Sequence, residues 1–170
     1  MKTIFKVLTI WLVLSASFSA SGQEKVIYPM PILHEDAAIY GYAYNYDRKR
    51  MAINYRFEEA NQFESASGLA IVQVNGYRGA INIDGNYVIE PIYESVSYQP
   101  YSNTYVVLLD GKYGAMNTNG DIILPIKYDD LYAQPKAGWY EAKLGEDYFY
   151  IAPDGHTTSD WNEYLNAPEK

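Results

Sequence analysis

Two histidines, His34 and His156, are the side chains of this 170-residue chain best suited to proton transfer near neutral pH. Neither sits in a pattern such as H-E-x-x-H or G-x-S-x-G, so both are expected at the surface. There is no cysteine, which excludes a disulfide framework, a thiolate metal site and a lipid anchor on Cys. The acidic pairs Glu35-Asp36, Glu58-Glu59 and Asp129-Asp130 have the chemistry of glycosidase acids, but nothing in the sequence builds a cleft around them. Residues 82–86 (NIDGN), echoed by residues 117–121, faintly resemble a calcium loop. The glycine comes too early and no bidentate Glu follows at the right distance, so a hairpin turn is expected and no metal or cofactor. Arg48-Lys49-Arg50 is the only basic cluster and falls where a solvated turn is expected. No catalytic constellation emerges.

Binding chemistry is better represented. Tyrosine makes up most of the aromatic content, 19 Tyr against 5 Phe and 3 Trp. Its ring packs on pleated surfaces while its hydroxyl stays wet. Alternation along strands sends neighbouring tyrosines to opposite faces, some into a core and some onto an open face. Tyr98, Tyr101, Tyr132 and Trp139 are the candidate binding residues on this basis. The competing expectation is that the tyrosines are core and cross-strand packing residues.

The elements that would position these residues recur along the chain. At an offset of about 35, Asn75-Gly76 falls on Asp110-Gly111, Gly79 on Gly114, and Asn82 on Asn117. Asp84-Gly85 falls on Asn119-Gly120 and then on Asp154-Gly155. Pro91 meets Pro125, and Tyr93-Glu94 meets Tyr128-Asp129. Phe57-Glu58 stands at the same step in an earlier copy, so Glu58, Glu94 and Asp129 share one phase. A group that recurs in every unit is structural before it is catalytic. The expected role is accepting hydrogen bonds from backbone N–H groups of the following loop.

Each unit reads as three strands. The first covers residues 69–74, 105–109 and 139–144; the second 80–83, 115–118 and 149–152; the third 87–90 and 122–124, ended by a proline. Asn-Gly and Asp-Gly suit the type I′ hairpin turn, because both central residues need φ > 0. The fold expected is all-β: tandem three-stranded antiparallel meander repeats of about 35 residues forming an open β-repeat array. The alternative is a closed barrel or propeller-like arrangement. Residues 57–63 (FEEANQF) are the best helical candidate. The units fall at about 40–68, 69–104, 105–138 and 139–159, within a repeat domain of residues 40–159. The first is degenerate, and the last is truncated, with Phe149 where earlier units have glycine. Residues 23–39 read as an extended lead-in and 160–170 as a polar tail.

The phase of these residues resembles the WG (KWG) β-repeat family. The signature glycines match as Asn75-Gly76-Tyr77-Arg78-Gly79 and Asp110-Gly111-Lys112-Tyr113-Gly114, with Arg78 and Tyr113 at the tryptophan position. The resemblance spans residues 40–159 and implies a β-rich repeat architecture. It implies little about activity and carries over no functional residue.

Residues 1–22 read as a cleaved export signal. Lys2 and Lys6 precede the apolar stretch of residues 7–14, and Ala20-Ser21-Gly22 places small residues for cleavage before Gln23. The apolar stretch is well short of the ~20 residues that span a bilayer, so no integral membrane segment is expected after cleavage. Removal of both lysines takes the net charge from −8 to −10. That sign argues against nucleic-acid partners. The chain is therefore expected to be periplasmic or secreted, and to act as a non-enzymatic binding or scaffold module through protein contacts. Glycan recognition by exposed tyrosines is the alternative, and a carboxylate hydrolase the least favoured one. Exposed strand edges at the ends of an open array could pair with another chain.

Overall fold

A computed structural model describes residues 26–44, 50–136 and 138–167. The expected export signal and, apart from Arg50, the basic cluster with its expected turn lie outside the described residues.

The described residues form four antiparallel sheets in sequence order. The first contains β1 (Met30–His34), β2 (Ile39–Ala43) and β3 (Met51–Phe57). The second contains β4 (Glu59–Ala60), β5 (Ala70–Val74), β6 (Tyr77–Ile81) and β7 (Tyr87–Tyr93). The third contains β8 (Ser95–Gln99), β9 (Thr104–Leu109), β10 (Lys112–Met116) and β11 (Ile122–Tyr128). The fourth contains β12 (Asp130–Ala133), β13 (Tyr140–Leu144), β14 (Asp147–Ile151) and β15 (Thr157–Thr158). Within each sheet the strands are neighbours in chain order, so every sheet is a meander and none closes into a barrel. The open all-β repeat array holds.

The strand count per unit is larger than the turns suggest. The last three sheets have four strands because a short strand follows the last strand of the preceding sheet after one residue. That residue is Glu58, Glu94 or Asp129. The lead-in is also structured in part, since β1 pairs along its whole length with β2. Residues 57–63 are not helical. Glu58 N–H donates to Gln73 O and Asn61 N–H to Ile71 O, both at 2.9 Å, which ties the segment to β5 as a strand. The third strands do not stop at proline either. Pro91 and Pro125 lie inside β7 and β11, at a register irregularity on the outer strand of the sheet. There a missing N–H costs no ladder bond.

The glycine facing each proline explains the irregularity. A Cβ at Gly79 would lie 2.4 Å from Ile89 O and 2.8 Å from Pro91 N. At Gly114 it would lie 2.9 Å from Leu124 O, and at Gly41 2.7 Å from Ile53 O. In all three sheets the irregular strand crosses where only hydrogen fits. Asn75 (φ 52°) with Gly76 (φ 79°), and Asp110 (φ 50°) with Gly111 (φ 71°), give both hairpins the expected left-handed pair.

Three apolar cores lie between successive sheets. Tyr42, Ile53, Phe57, Val72 and Ile81 fill the first joint. Ile89, Tyr93, Val96, Tyr105 and Met116 fill the second. Val106, Tyr128, Leu131, Tyr140 and Ile151 fill the third. Strand β9 contributes to two of them, Tyr105 and Val107 on one side and Val106 on the other. Burial on both faces is why its sequence is a continuous apolar run rather than an alternating one. Hydroxyls cross the joints as well: Tyr105 Oη lies 2.7 Å from Ser67 Oγ, and one repeat later Tyr140 Oη lies 2.5 Å from Thr104 Oγ1.

The far end of the array carries α1 (Trp161–Asn166), within the segment read as a polar tail. Asp160 caps it, its carboxylate accepting from Asn162 N–H at 2.8 Å. Tyr164 stacks on Tyr150 at 4.9 Å and meets Trp139 edge-on at 5.5 Å. Lys136 Nζ donates to the carbonyls of Tyr164, Leu165 and Ala167. The helix thus covers part of the last sheet's outer face, as a terminal unit of an open core requires.

Candidate functional site: the outer face and edge of the last sheet

The last sheet is covered by β9 and its neighbours on one side only. Leu131, Ala142 and Phe149 face that joint. The cross-strand pairs Asp130–Lys143–Tyr148 and Tyr132–Glu141–Tyr150 therefore lie on the opposite, outer face. Tyr132 is 58% exposed and Tyr148 59%. Trp161 of α1, packed at 5.4 Å against Tyr150, is exposed beside them. The charges on the face are internally matched. Tyr132 Oη donates to Asp130 at 3.0 Å, Gln134 Nε2 donates to Glu141 at 3.2 Å, and Lys143 lies 5.2 Å over the Tyr148 ring. The bond to Asp130 and its negative charge raise the Tyr132 phenol above its ordinary value. Burial, then the charge of Glu141, raises that of Tyr150.

Of the four residues expected to bind, only Tyr132 lies on this open face. Trp139 is 6% exposed and lies beneath α1. Tyr98 packs at 5.3 Å against buried Tyr105 and donates to Asn103. Tyr101 is exposed, on the β8–β9 loop of the preceding sheet. Tyr98 and Tyr101 lie in the preceding sheet, while Trp139 is a diagonal neighbour of Tyr132 on the same face but under α1. Tyr148 and Trp161 were not singled out by sequence. Their signal would have been the truncated last copy, after which the described chain forms α1.

Two cavities border the last sheet, one on each side. One, of about 550 Å³, lies between α1 and the sheet over Trp139. Its acids are engaged: Asp160 caps α1, Glu163 Oε1 pairs with His156 Nε2 at 3.1 Å, and Asp154 accepts from His156 N–H. The other, of about 340 Å³, opens at the third joint beside Ile123, Pro153 and Tyr140. Among the described residues no cluster of three or more acids and histidines is placed to hold a metal. The loop at 82–86 spends its polar groups on itself, Asn82 Oδ1 accepting from the N–H groups of Asp84 and Asn86. His156 is exposed, but His34 is not a plain surface residue. It meets Tyr55 edge-on at 5.0 Å, with Nδ1 buried.

The recurring carboxylates bond to the next hairpin. Glu58 accepts from Gly76 N–H at 2.8 Å, Glu94 from Gly111 N–H at 3.3 Å, and Asp129 from Gly145 N–H at 2.7 Å. Asp129 also pairs with Lys112, and those two bonds hold its carboxyl below the usual 3.8. These acids are fixtures of the repeat.

Fold and site together define an open β-repeat array with one helix-capped terminal sheet. The WG containing repeat matches residues 49–77, 79–113 and 113–145, more than half of the chain. The chain belongs to the WG-repeat family. No curated protein and no solved structure matches it.

Proposed function

We propose that this protein is an exported, non-enzymatic binding module that acts through protein contacts outside the cytoplasm. One observation carries the reading most: the outer face of the last sheet exposes Tyr132 and Tyr148, with Trp161 of α1 beside them, among alternating charges. Aromatic residues within a polar surround are typical of protein-binding patches. The amino-terminal lysines, apolar stretch and small residues support export. The test is cross-linking and pull-down from envelope extract with the wild-type chain and with Tyr132→Ser/Tyr148→Ser. A specific protein retained only by the wild type is expected. Capture unaffected by the double change would place the contact elsewhere.

The same tyrosine face supports a second reading, glycan recognition, because flat aromatic rings beside Asp130 and Glu141 can stack on and hydrogen-bond a sugar. A glycan array decides it. Hits lost in Tyr132→Ser/Tyr148→Ser would favour a sugar ligand over a protein.

A further inference from the structure

The repeat supplies its own template for what the last sheet lacks. In the first three sheets the last strand has seven residues: β3, β7 and β11. Its last residue, an aromatic, pairs across the ladder: Phe57 with Tyr40, Tyr93 with Arg78, Tyr128 with Tyr113. In the fourth sheet the corresponding strand is β15, which has two residues and pairs only with Tyr150 and Ile151. Tyr148 stands at the phase of Arg78 and Tyr113, and among the described residues no strand lies on its side away from β13. The chain turns away instead into α1.

We propose that this outer edge of β14 is a strand-addition site for an extended, basic segment of another protein chain. The inference rests on the protein-contact reading and names how the partner attaches. An unpaired strand edge presents backbone N–H and C=O groups in register for a new strand. Proteins usually blunt such an edge with charge, a bulge or a cover. Here the first three sheets fill it, and the last leaves it open.

Two features define the occupant. The first is shape. The native last strands cross a glycine, and a Cβ at that glycine would meet their backbone at 2.4–2.9 Å. Phe149 occupies that phase in β14, so a proline-bulged strand of the native kind does not fit. A regular, proline-free strand does. The second is charge. Glu146 and Asp147 are exposed at the start of the edge, and the chain carries a net −8. A segment alternating apolar and basic residues complements both.

The test uses the full chain and a synthetic peptide, acetyl-KVKVKVK-amide, followed by residue-resolved amide exchange. The amide of Tyr148, whose N–H points away from β13, is expected to slow by at least about tenfold with this peptide. It should not slow with the counterpart carrying proline at the central position, which cannot complete a ladder. The variant Glu146→Lys/Asp147→Lys changes two exposed side chains and should weaken peptide binding about tenfold with an unchanged circular dichroism spectrum. Absence of protection overturns the inference, as does equal binding of the proline peptide, which would mean charge attraction alone. The broader reading fails separately. If a partner protein is captured as strongly by Glu146→Lys/Asp147→Lys as by the wild type, without protection of the Tyr148 amide, the edge inference falls and the protein-contact reading stands.

Discussion

The Glu58 carboxylate accepts a hydrogen bond from the backbone N–H of Gly76 at 2.8 Å, joining the step between two sheets to the hairpin turn of the second. The backbone reinforces the same step, because Glu58 N–H donates to Gln73 O. One repeat on, Glu94 and Gly111 make the equivalent pair. The bond holds each sheet in place against the strand that enters it. Glu58→Ala should cost about 1 kcal/mol in urea unfolding, the usual worth of one such bond. Glu94→Ala should cost less, since its bond is longer. An unchanged midpoint for Glu58→Ala would mean the turn holds without the carboxylate.

Asp129 extends this to pH. Its folded pKa is depressed by the bonds from Lys112 and from Gly145 N–H, so the folded state favours the ionised form. The contribution is present above the ordinary carboxyl value of 3.8 and is lost as pH falls through the lower folded value. Acid titration of stability should therefore be shallower in Asp129→Asn than in the wild type below about pH 4. Identical acid profiles would show that the pair adds nothing to folding.

Gly79 and Gly114 are required by space rather than by φ. Their substitution by alanine forces a methyl into the backbone of the crossing strand and should destabilise by about 3 kcal/mol each, the upper range for overpacking. Gly76→Ala is the contrast. Nothing lies within 4 Å of its added Cβ, so its cost should come only from the left-handed φ of 79°. Chemical denaturation of the three variants separates the two causes. Gly79→Ala no worse than Gly76→Ala would contradict the crowding.

How much of this could be read from the residues depends on which constraints are local. Asn75-Gly76 and Asp110-Gly111 announced their turns because φ > 0 is a single-residue requirement. The recurring acids could be assigned to a backbone role because recurrence argues against catalysis. The strand continuing through Pro91 was hidden, since its tolerance depends on lying at the outside of the sheet opposite Gly79. The short strands β4, β8 and β12 carry little apolar pattern of their own and exist by pairing with the next hairpin. Helix α1, six residues long, is too short to stand without docking, so its periodicity gave no signal. Among the binding candidates, Tyr132 and Trp139 come from equally aromatic stretches. Only the position of α1 decides that one is open and the other covered.

Tyr105 predicts the alkaline limit of the fold. Burial pushes its phenol from 10.0 up to about 12, partly offset by the bond with Ser67. Burial raises Tyr42, Tyr93 and Tyr128 as well. A raised folded pKa means that the folded state holds the proton more tightly. The stability is therefore complete below pH 10 and is lost as pH rises from there through the folded value. Unfolding should set in above about pH 10. Tyr105→Phe should flatten that alkaline slope while costing about 1 kcal/mol at neutral pH through loss of the Ser67 bond. A slope unchanged in Tyr105→Phe would assign alkaline unfolding to the other buried tyrosines.

Lys136 holds the terminal helix in place. Its ammonium meets the carbonyls of Tyr164 at 2.8 Å, Leu165 at 3.0 Å and Ala167 at 2.6 Å, at the negative end of α1, and lies 5.4 Å from the Tyr164 ring. A cation there satisfies carbonyls that a helix end leaves unpaired. Lys136→Met keeps the aliphatic stem and removes the bonds, so its cost should be about 1 kcal/mol, confined to the helix. Undocking uncovers Trp139, buried at 6% exposure, whereas Trp161 is already half exposed at 50%. Tryptophan emission should therefore shift to the red in Lys136→Met before the sheets unfold, giving a first transition in urea that the wild type lacks. A single transition coincident with loss of β circular dichroism would show that α1 and the last sheet melt as one unit, with Lys136 not controlling the helix separately.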